Sequence, residues 1–262
     1  MRDFTLNTYQ KLLESILQAG YRFQTFQDFI TQSKDRVVVL RHDVDLLPKN
    51  ALETATLEHA LGITGSYYFR MVPQSFDEHI IRQIAGMGHE IGYHYETMDM
   101  AGGDVDKAYS LFCDHLEVFR KIYPVKTICM HGSPRSLYDN REIWNKYNYR
   151  DLGIIAEPYF DTDFSQVFYL TDTGRRWDGF KVSVRDKVSE HQQRWITEGL
   201  LFHSSQQIIQ AVKTDNLPAQ IMITLHPQRW TNDFFPWWKE LILQNTKNII
   251  KFLLIRMRKA KQ

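Results

Sequence analysis

The sequence predicts a single-domain α/β fold closed as a barrel, and three observations carry that prediction. Short apolar runs rich in Val, Ile, Tyr and Phe alternate with segments of helical periodicity along the chain, the pattern of a parallel sheet covered by helices. No Gly-x-Gly-x-x-Gly or phosphate-loop motif follows a strand, which removes support from open nucleotide-binding sheets of the same class. Ligand-capable polar residues recur at the C-terminal ends of the strands, the face on which α/β barrels build their sites.

The elements follow in order. Residues 6–19 form an amphipathic helix: Thr5 or Asn7 can cap it, Leu12, Leu13, Ile16 and Leu17 make the apolar stripe, and Gly20 ends it. Residues 37–41, Val-Val-Val-Leu-Arg, form a buried strand. A helix runs from about Lys49 to Ala60, with Gly62 just past its end. A strand at 65–70, a helix at 76–86, a strand at 89–95 and a long helix at 104–122 closed by Pro124 come next. A strand at 126–131 and a short helix over Asp139–Tyr147 precede strands near 152–156 and 167–171. A helix at 204–214 follows a Ser-Ser cap, a strand fills 219–226, and 234–258 is mostly helix. The result is about seven strands, with flanking helices at both ends.

Composition narrows the function classes. A chain of 262 residues, 43% hydrophobic and 24% charged, with no repeat, low-complexity stretch or linker, reads as one globular domain spanning 1–262. Its 32 basic and 31 acidic residues leave no global field for nucleic acid. Two cysteines, Cys113 and Cys129, make neither a disulfide framework nor a metal knuckle. No apolar run reaches the length of a membrane span and no leader-like apolar segment follows Met1, so the expected compartment is the cytoplasm. The one basic concentration is Arg256, Arg258, Lys259 and Lys261, after the apolar run Ile249 to Ile255. It reads as the solvated end of a docked helix, with a membrane-surface contact as the alternative.

The strand ends carry the chemistry. The first long strand runs into Arg41-His42-Asp43-Val44-Asp45, the third contains His89 through Glu96, the fourth ends in Met130-His131-Gly132-Ser133-Pro134, and the last ends in Leu225-His226-Pro227. Asp43 and Asp45, two apart on an extended backbone, point to one side and repel unless a cation or shared proton separates them. His42, His94, His131 and His226 fall in the same layer at the strand ends, with His42 facing away from Asp43 and Asp45. Carboxylate plus imidazole is a ligand set for a divalent metal with an open position. Such a metal leaves a second carboxylate free to take a proton from water and a histidine free to protonate a leaving group. Asp172, Arg176 and Trp177, followed by Asp178, read either as a substrate wall, with Arg for an anion and Trp as a stacking platform, or as a loop of surface ion pairs. Arg229 and Trp230 lean toward packing.

At these residues the chain resembles the polysaccharide deacetylase superfamily, the NodB-homology carbohydrate esterases, over about residues 36–230. Gly88-His89-Glu90-Ile91-Gly92-Tyr93-His94 is similar to that family's second motif, Arg41-His42-Asp43-Val44-Asp45 resembles a variant of its first, and Thr224-Leu225-His226 resembles its last. The resemblance implies a distorted (β/α)7 TIM-like barrel and removal of an N- or O-linked acetyl group from a carbohydrate, in polysaccharide biosynthesis or modification. The implied cofactor is a divalent metal, zinc first, with cobalt, nickel or manganese as alternatives. Carried over residue by residue, Asp43 is the base and His226 the acid. Asp45 supplies the metal carboxylate, because Val44 stands beside Asp43 where the family has a second aspartate. His94 is one imidazole ligand. The family's further histidine is Met98 here, which leaves His131 as the second imidazole, with His89 as fallback. The usual Arg-x-Pro-Tyr motif is replaced by His131-Gly132-Ser133-Pro134. A catalytically degenerate barrel that binds a glycan or a partner, and an allantoinase-like hydrolase of non-sugar amides, are the alternatives.

Overall fold

The computed structural model describes residues 2–132, 136–177 and 188–259, with side chains described through residue 248. Seven parallel strands form one sheet: β1 (Arg22–Gln24), β2 (Val37–Val44), β3 (Ser66–Phe69), β4 (Glu90–Tyr95), β5 (Ile128–Met130), β6 (Phe168–Thr171) and β7 (Gln220–Leu225). Their order is β5-β4-β3-β2-β7-β6, with β1 also on β2. β2 is the hub because its eight residues reach past every neighbour. One edge pairs with β1 at Val37 to Val39 and with β3 at Arg41 to Val44, while the other pairs with β7 from Val37 to His42. All eight residues are buried, as expected of a parallel strand covered on both faces.

Among the described residues, ten α-helices flank the sheet: α1 (Leu6–Gln18), α2 (Phe26–Thr31), α3 (Pro48–Ala60), α4 (Glu78–Gly86), α5 (Thr97–Met100), α6 (Val105–Arg120), α7 (Pro158–Asp161), α8 (Ser189–Thr197), α9 (Ser205–Lys213) and α10 (Phe234–Lys259). Local chemistry sets their starts. Thr5, not Asn7, caps α1 by accepting from the Thr8 N–H, Ser204 caps α9, and Pro48 occupies the first turn of α3, where its missing N–H costs nothing. Gly20, at φ +82°, turns the chain out of α1 into β1. The core divides in two. One cluster joins α1, α9, β2, β6 and β7 through Leu12, Val38, Ile208 and Ile223; the other joins β3, β4, α4 and α6 through Tyr67, Tyr93, Ile84 and Phe112.

Three expectations need correction. The strand placed near 152–156 is a 3-10 turn, Tyr149–Leu152, closed by Gly153 at φ +70°, after which Ala156 alone makes a bridge, to Thr127. The positive-φ glycine turns the chain before a ladder can form. The segment Asp139–Tyr147 holds the expected short helix, as a 3-10 helix over Asn140–Asn145. Strand β1 went unread because three residues show no period. With the 152–156 strand reduced to one bridge, the sheet ends β5 and β6 do not pair among the described residues, and the curled sheet is a half-barrel rather than a complete TIM barrel. Among the described residues, no helix is long and apolar enough to cross a membrane.

Candidate metal centre

The C-terminal ends of β2, β4, β5 and β7 bring five side chains together. Alternation along β2 sends Arg41 and Asp43 to one face and His42 to the other. Asp45 follows the strand end and is held by its N–H donating to Asp43 O at 3.0 Å. His94 lies in β4, paired with Cys129 of β5; His131 follows β5, and His226 follows β7.

Asp45, His94 and His131 form a close triangle. His131 Nδ1 lies 3.1 Å from Asp45 Oδ1 and 3.2 Å from His94 Nε2, and His94 Nε2 lies 3.6 Å from Asp45 Oδ1. Ligands at about 2.0–2.1 Å from a tetrahedral zinc stand roughly 3.3 Å from one another, so the three spacings bracket the required edge. The protonation pattern fits too. His94 Nδ1 faces Cys129 O at 3.0 Å, which assigns its hydrogen to Nδ1 and leaves the Nε2 lone pair facing the triangle. His131 Nε2 faces Glu96 at 3.8 Å, and Arg70 grips that carboxylate with two bonds, of 3.0 and 2.7 Å. Asp45 Oδ1 is buried and has no hydrogen-bond partner among the described residues; a cation would satisfy it. Burial disfavours the Asp45 charge, but His131, His94 and His226 overcome that and hold its carboxyl well below the usual range. Burial likewise opposes charge on His131, yet Asp45 raises its affinity for a proton above the ordinary imidazole value.

A second grouping, Asp43 with His94 and Cys129, also brings ligand atoms together. It is the poorer cation site. Both Asp43 oxygens already accept from Arg41, at 2.8 and 2.6 Å, so an ion there would sit against a guanidinium. Burial works against the Asp43 charge, and Arg41, His94 and His226 reverse the balance and lower its pKa. Asp43 is therefore an ionised, oriented carboxylate at the edge of the triangle, with Oδ2 3.9 Å from His94 Nε2.

Beside the triangle, His226 Nε2 lies 3.9 Å from Asp45 Oδ2. Its Nδ1 is 2.6 Å from Asp172 Oδ1, so Asp172 fixes the ring and its tautomer. Asp172 is itself locked, accepting from Arg229 at 2.6 Å and from Trp230 Nε1 at 2.8 Å. Burial and Arg229 lower the proton affinity of His226, but Asp172 and Asp45 outweigh them and raise it above the ordinary value.

The structure thus gathers Asp43, Asp45, His94, His131 and His226. It does not bring the expected substrate wall to them. Asp172 is fully buried behind His226 with its oxygens occupied. Trp177 is only 2% exposed; it packs near Phe4 and Trp230 and donates to Ser205 Oγ, so it has no free face for stacking. Arg176 is half-buried, with Nη2 3.1 Å from His203 Nδ1. Asp178, Ser133 and Pro134 lie outside the described residues. His89 is not a ligand here: its ring nitrogens are 3.1 Å from Gly65 N and 3.1 Å from Ala55 O, on the far side of the sheet. Sequence reading missed the roles of Arg41, Glu96, Arg70 and Arg229. Arg41 and Glu96 each sit two residues from an assigned site residue on an extended backbone, Asp43 and His94 respectively, so the period-two rule was the available signal.

A cavity of about 440 Å³ lies nearby, lined by Arg141, Tyr159, Phe164, Glu190 and His191. Tyr159 joins it to the centre, for its hydroxyl is 3.3 Å from Arg41 Nη2 and its ring lies under the Arg41 guanidinium. No protein-family model, curated protein or solved structure matches the chain.

Proposed function

We propose that the protein is a metal-dependent hydrolase that removes an acetyl group from a carbohydrate, within the polysaccharide deacetylase superfamily that its motifs resemble. Asp45, His94 and His131 would hold a divalent cation, zinc by preference for this nitrogen and oxygen donor set. When bound, that ion would polarise an acyl oxygen and make water more acidic. Asp43, kept ionised and aimed by Arg41, takes the proton from the attacking water. His226, protonated and steadied by Asp172, gives a proton from Nε2 to the departing amine or alcohol. Glu96 and Arg70 orient His131.

The observation that carries this reading is the flanking geometry. An ionised carboxylate and a proton-bearing imidazole stand beside a three-ligand triangle, each with an atom 3.9 Å from one of its members. Support for a sugar comes from the motif resemblance and from the neighbouring cavity, whose size suits one to two sugar rings and whose wall includes Tyr159. Acetate release from acetylated amino sugars, measured beside a panel of cyclic ureides, tests the substrate class. Turnover of the sugars that vanishes on chelation and returns with zinc is the expected result. Turnover of ureides alone would move the protein to the allantoinase-like class, and no turnover with a loaded metal would leave a binding protein.

A further inference from the structure

Helix α10 is turned the opposite way from a helix that only packs on its own domain. Its inner side is polar or hydrogen-bonded: Trp237 Nε1–H donates to Asp3 O at 2.7 Å, Asn248 donates to Gly174 O at 2.9 Å, and Gln244 is 4% exposed. Its exposed side carries an apolar stripe, with Phe235 81% exposed, Phe234 55% and Trp238 52%, beside Ile242 and Leu243, and with Lys239 and Lys247 exposed as well. A surface helix ordinarily buries its apolar stripe and shows its polar one. Positions 235, 238 and 242 are spaced three and four apart, and the same repeat reaches positions 249 and 253, which are Ile and Leu.

Charge is segregated in the same place. Residues 234–262 contain seven Lys and Arg against Glu240 alone, a net charge of +6. The remaining 25 basic and 30 acidic residues give residues 1–233 a net −5, so the near-neutral total conceals a strongly basic helix on an acidic body.

We propose that α10 docks the protein on an anionic lipid surface, lying in the plane of the headgroups with Phe234, Phe235, Trp238 and Ile242 inserted. Aromatic and aliphatic residues flanked by cations are the composition of an interfacial helix, where apolar burial and attraction to anionic lipid add. The helix lies on the surface rather than spanning it, since among the described residues none is long and apolar enough to cross. A second copy is the poorer occupant: a two-fold contact through this face would bring two +6 segments together. The inference is independent of the hydrolase reading.

Vesicle flotation of the full chain tests it, using phosphatidylcholine vesicles and vesicles with added phosphatidylglycerol. The expected result is a preference of about tenfold or more for the anionic vesicles, weakened by salt. The double substitution Phe235→Ser/Trp238→Ser should abolish flotation without changing the unfolding midpoint, because both side chains are exposed. Lys247→Glu/Lys251→Glu should remove the anionic preference. Equal or absent binding to the two vesicle types overturns the proposal. So does undiminished binding by the serine variant, or a solution dimer that the serine variant dissolves.

Discussion

Strand β2 separates two buried clusters of histidine and carboxylate, and they differ in what their lone pairs face. On the helix side, His42 Nδ1 is 3.2 Å from Ser66 O and Nε2 is 2.9 Å from Glu58 Oε1, so both nitrogens meet acceptors. Glu58 also accepts from Tyr9 at 2.6 Å and Tyr67 at 2.9 Å, while both His89 nitrogens meet backbone groups. Every acceptor there has a donor. On the strand-end side, an imidazole lone pair, a second ring nitrogen and an orphaned carboxylate oxygen converge on one another instead. The same residue types make a closed structural network in one place and a cluster that could hold a metal ion in the other. What separates them is donor supply, not composition.

The largest expected effects break the open cluster. His226→Ala and Asp43→Asn should each lower kcat by about 10²–10⁴-fold with metal content unchanged, and normal turnover in either variant removes that residue from the chemistry. Next, Glu58→Gln should leave metal content intact while costing about 3–5 kcal/mol in chemical denaturation, because His42, Tyr9 and Tyr67 lose the buried carboxylate they pair with. Burial opposes the Glu58 charge, yet His42, His89 and Tyr9 hold its pKa below the ordinary value. A lowered carboxylate stabilises the fold above its unfolded pKa of about 4.3 and loses that contribution as pH falls through the lower folded value. The stability gap between wild type and Glu58→Gln should therefore close in acid; a gap that persists there would show that the cost is packing.

A smaller effect sharpens the comparison from the other side. Glu96→Gln should weaken metal affinity about 10–100-fold by loosening His131, read by competition with a chromophoric chelator; unchanged affinity would make the Glu96–Arg70 pair a structural contact. The smallest is a shift in a pH profile. Because Asp172 raises the proton affinity of His226, the alkaline limb of activity should lie above the usual imidazole range. Asp172→Asn should move it to lower pH, and a stationary limb would assign the acid elsewhere.

Much of this was legible in the chain because strands and short turns report themselves. The buried run of β2 and the period of two beyond it placed Asp43, Asp45 and the outward turn of His42 correctly. His94, His131 and His226 fell into one layer because each lies at or just past a strand end. The failures have physical causes. Trp177 and Asp172 looked like a site wall because polar and aromatic loop residues near a strand end read alike whether they face solvent or the core. The period of two puts Arg41 on the face of Asp43, but that spacing alone does not say whether a side chain turns to its neighbour or to solvent. The open sheet escaped notice because the segment after Gly153 makes only one bridge, Ala156 to Thr127, and its apolar residues read like those of a full strand.

Unsatisfied lone pairs, rather than histidine content, mark the candidate metal site. The most direct measurement is anomalous scattering at the zinc edge from crystals grown with one equivalent of zinc. The account predicts a single peak bonded to Asp45, His94 and His131, with nothing beside His42, Glu58 and His89. A peak in the closed cluster, or full zinc occupancy that survives Asp45→Ala and His94→Ala together, would contradict it.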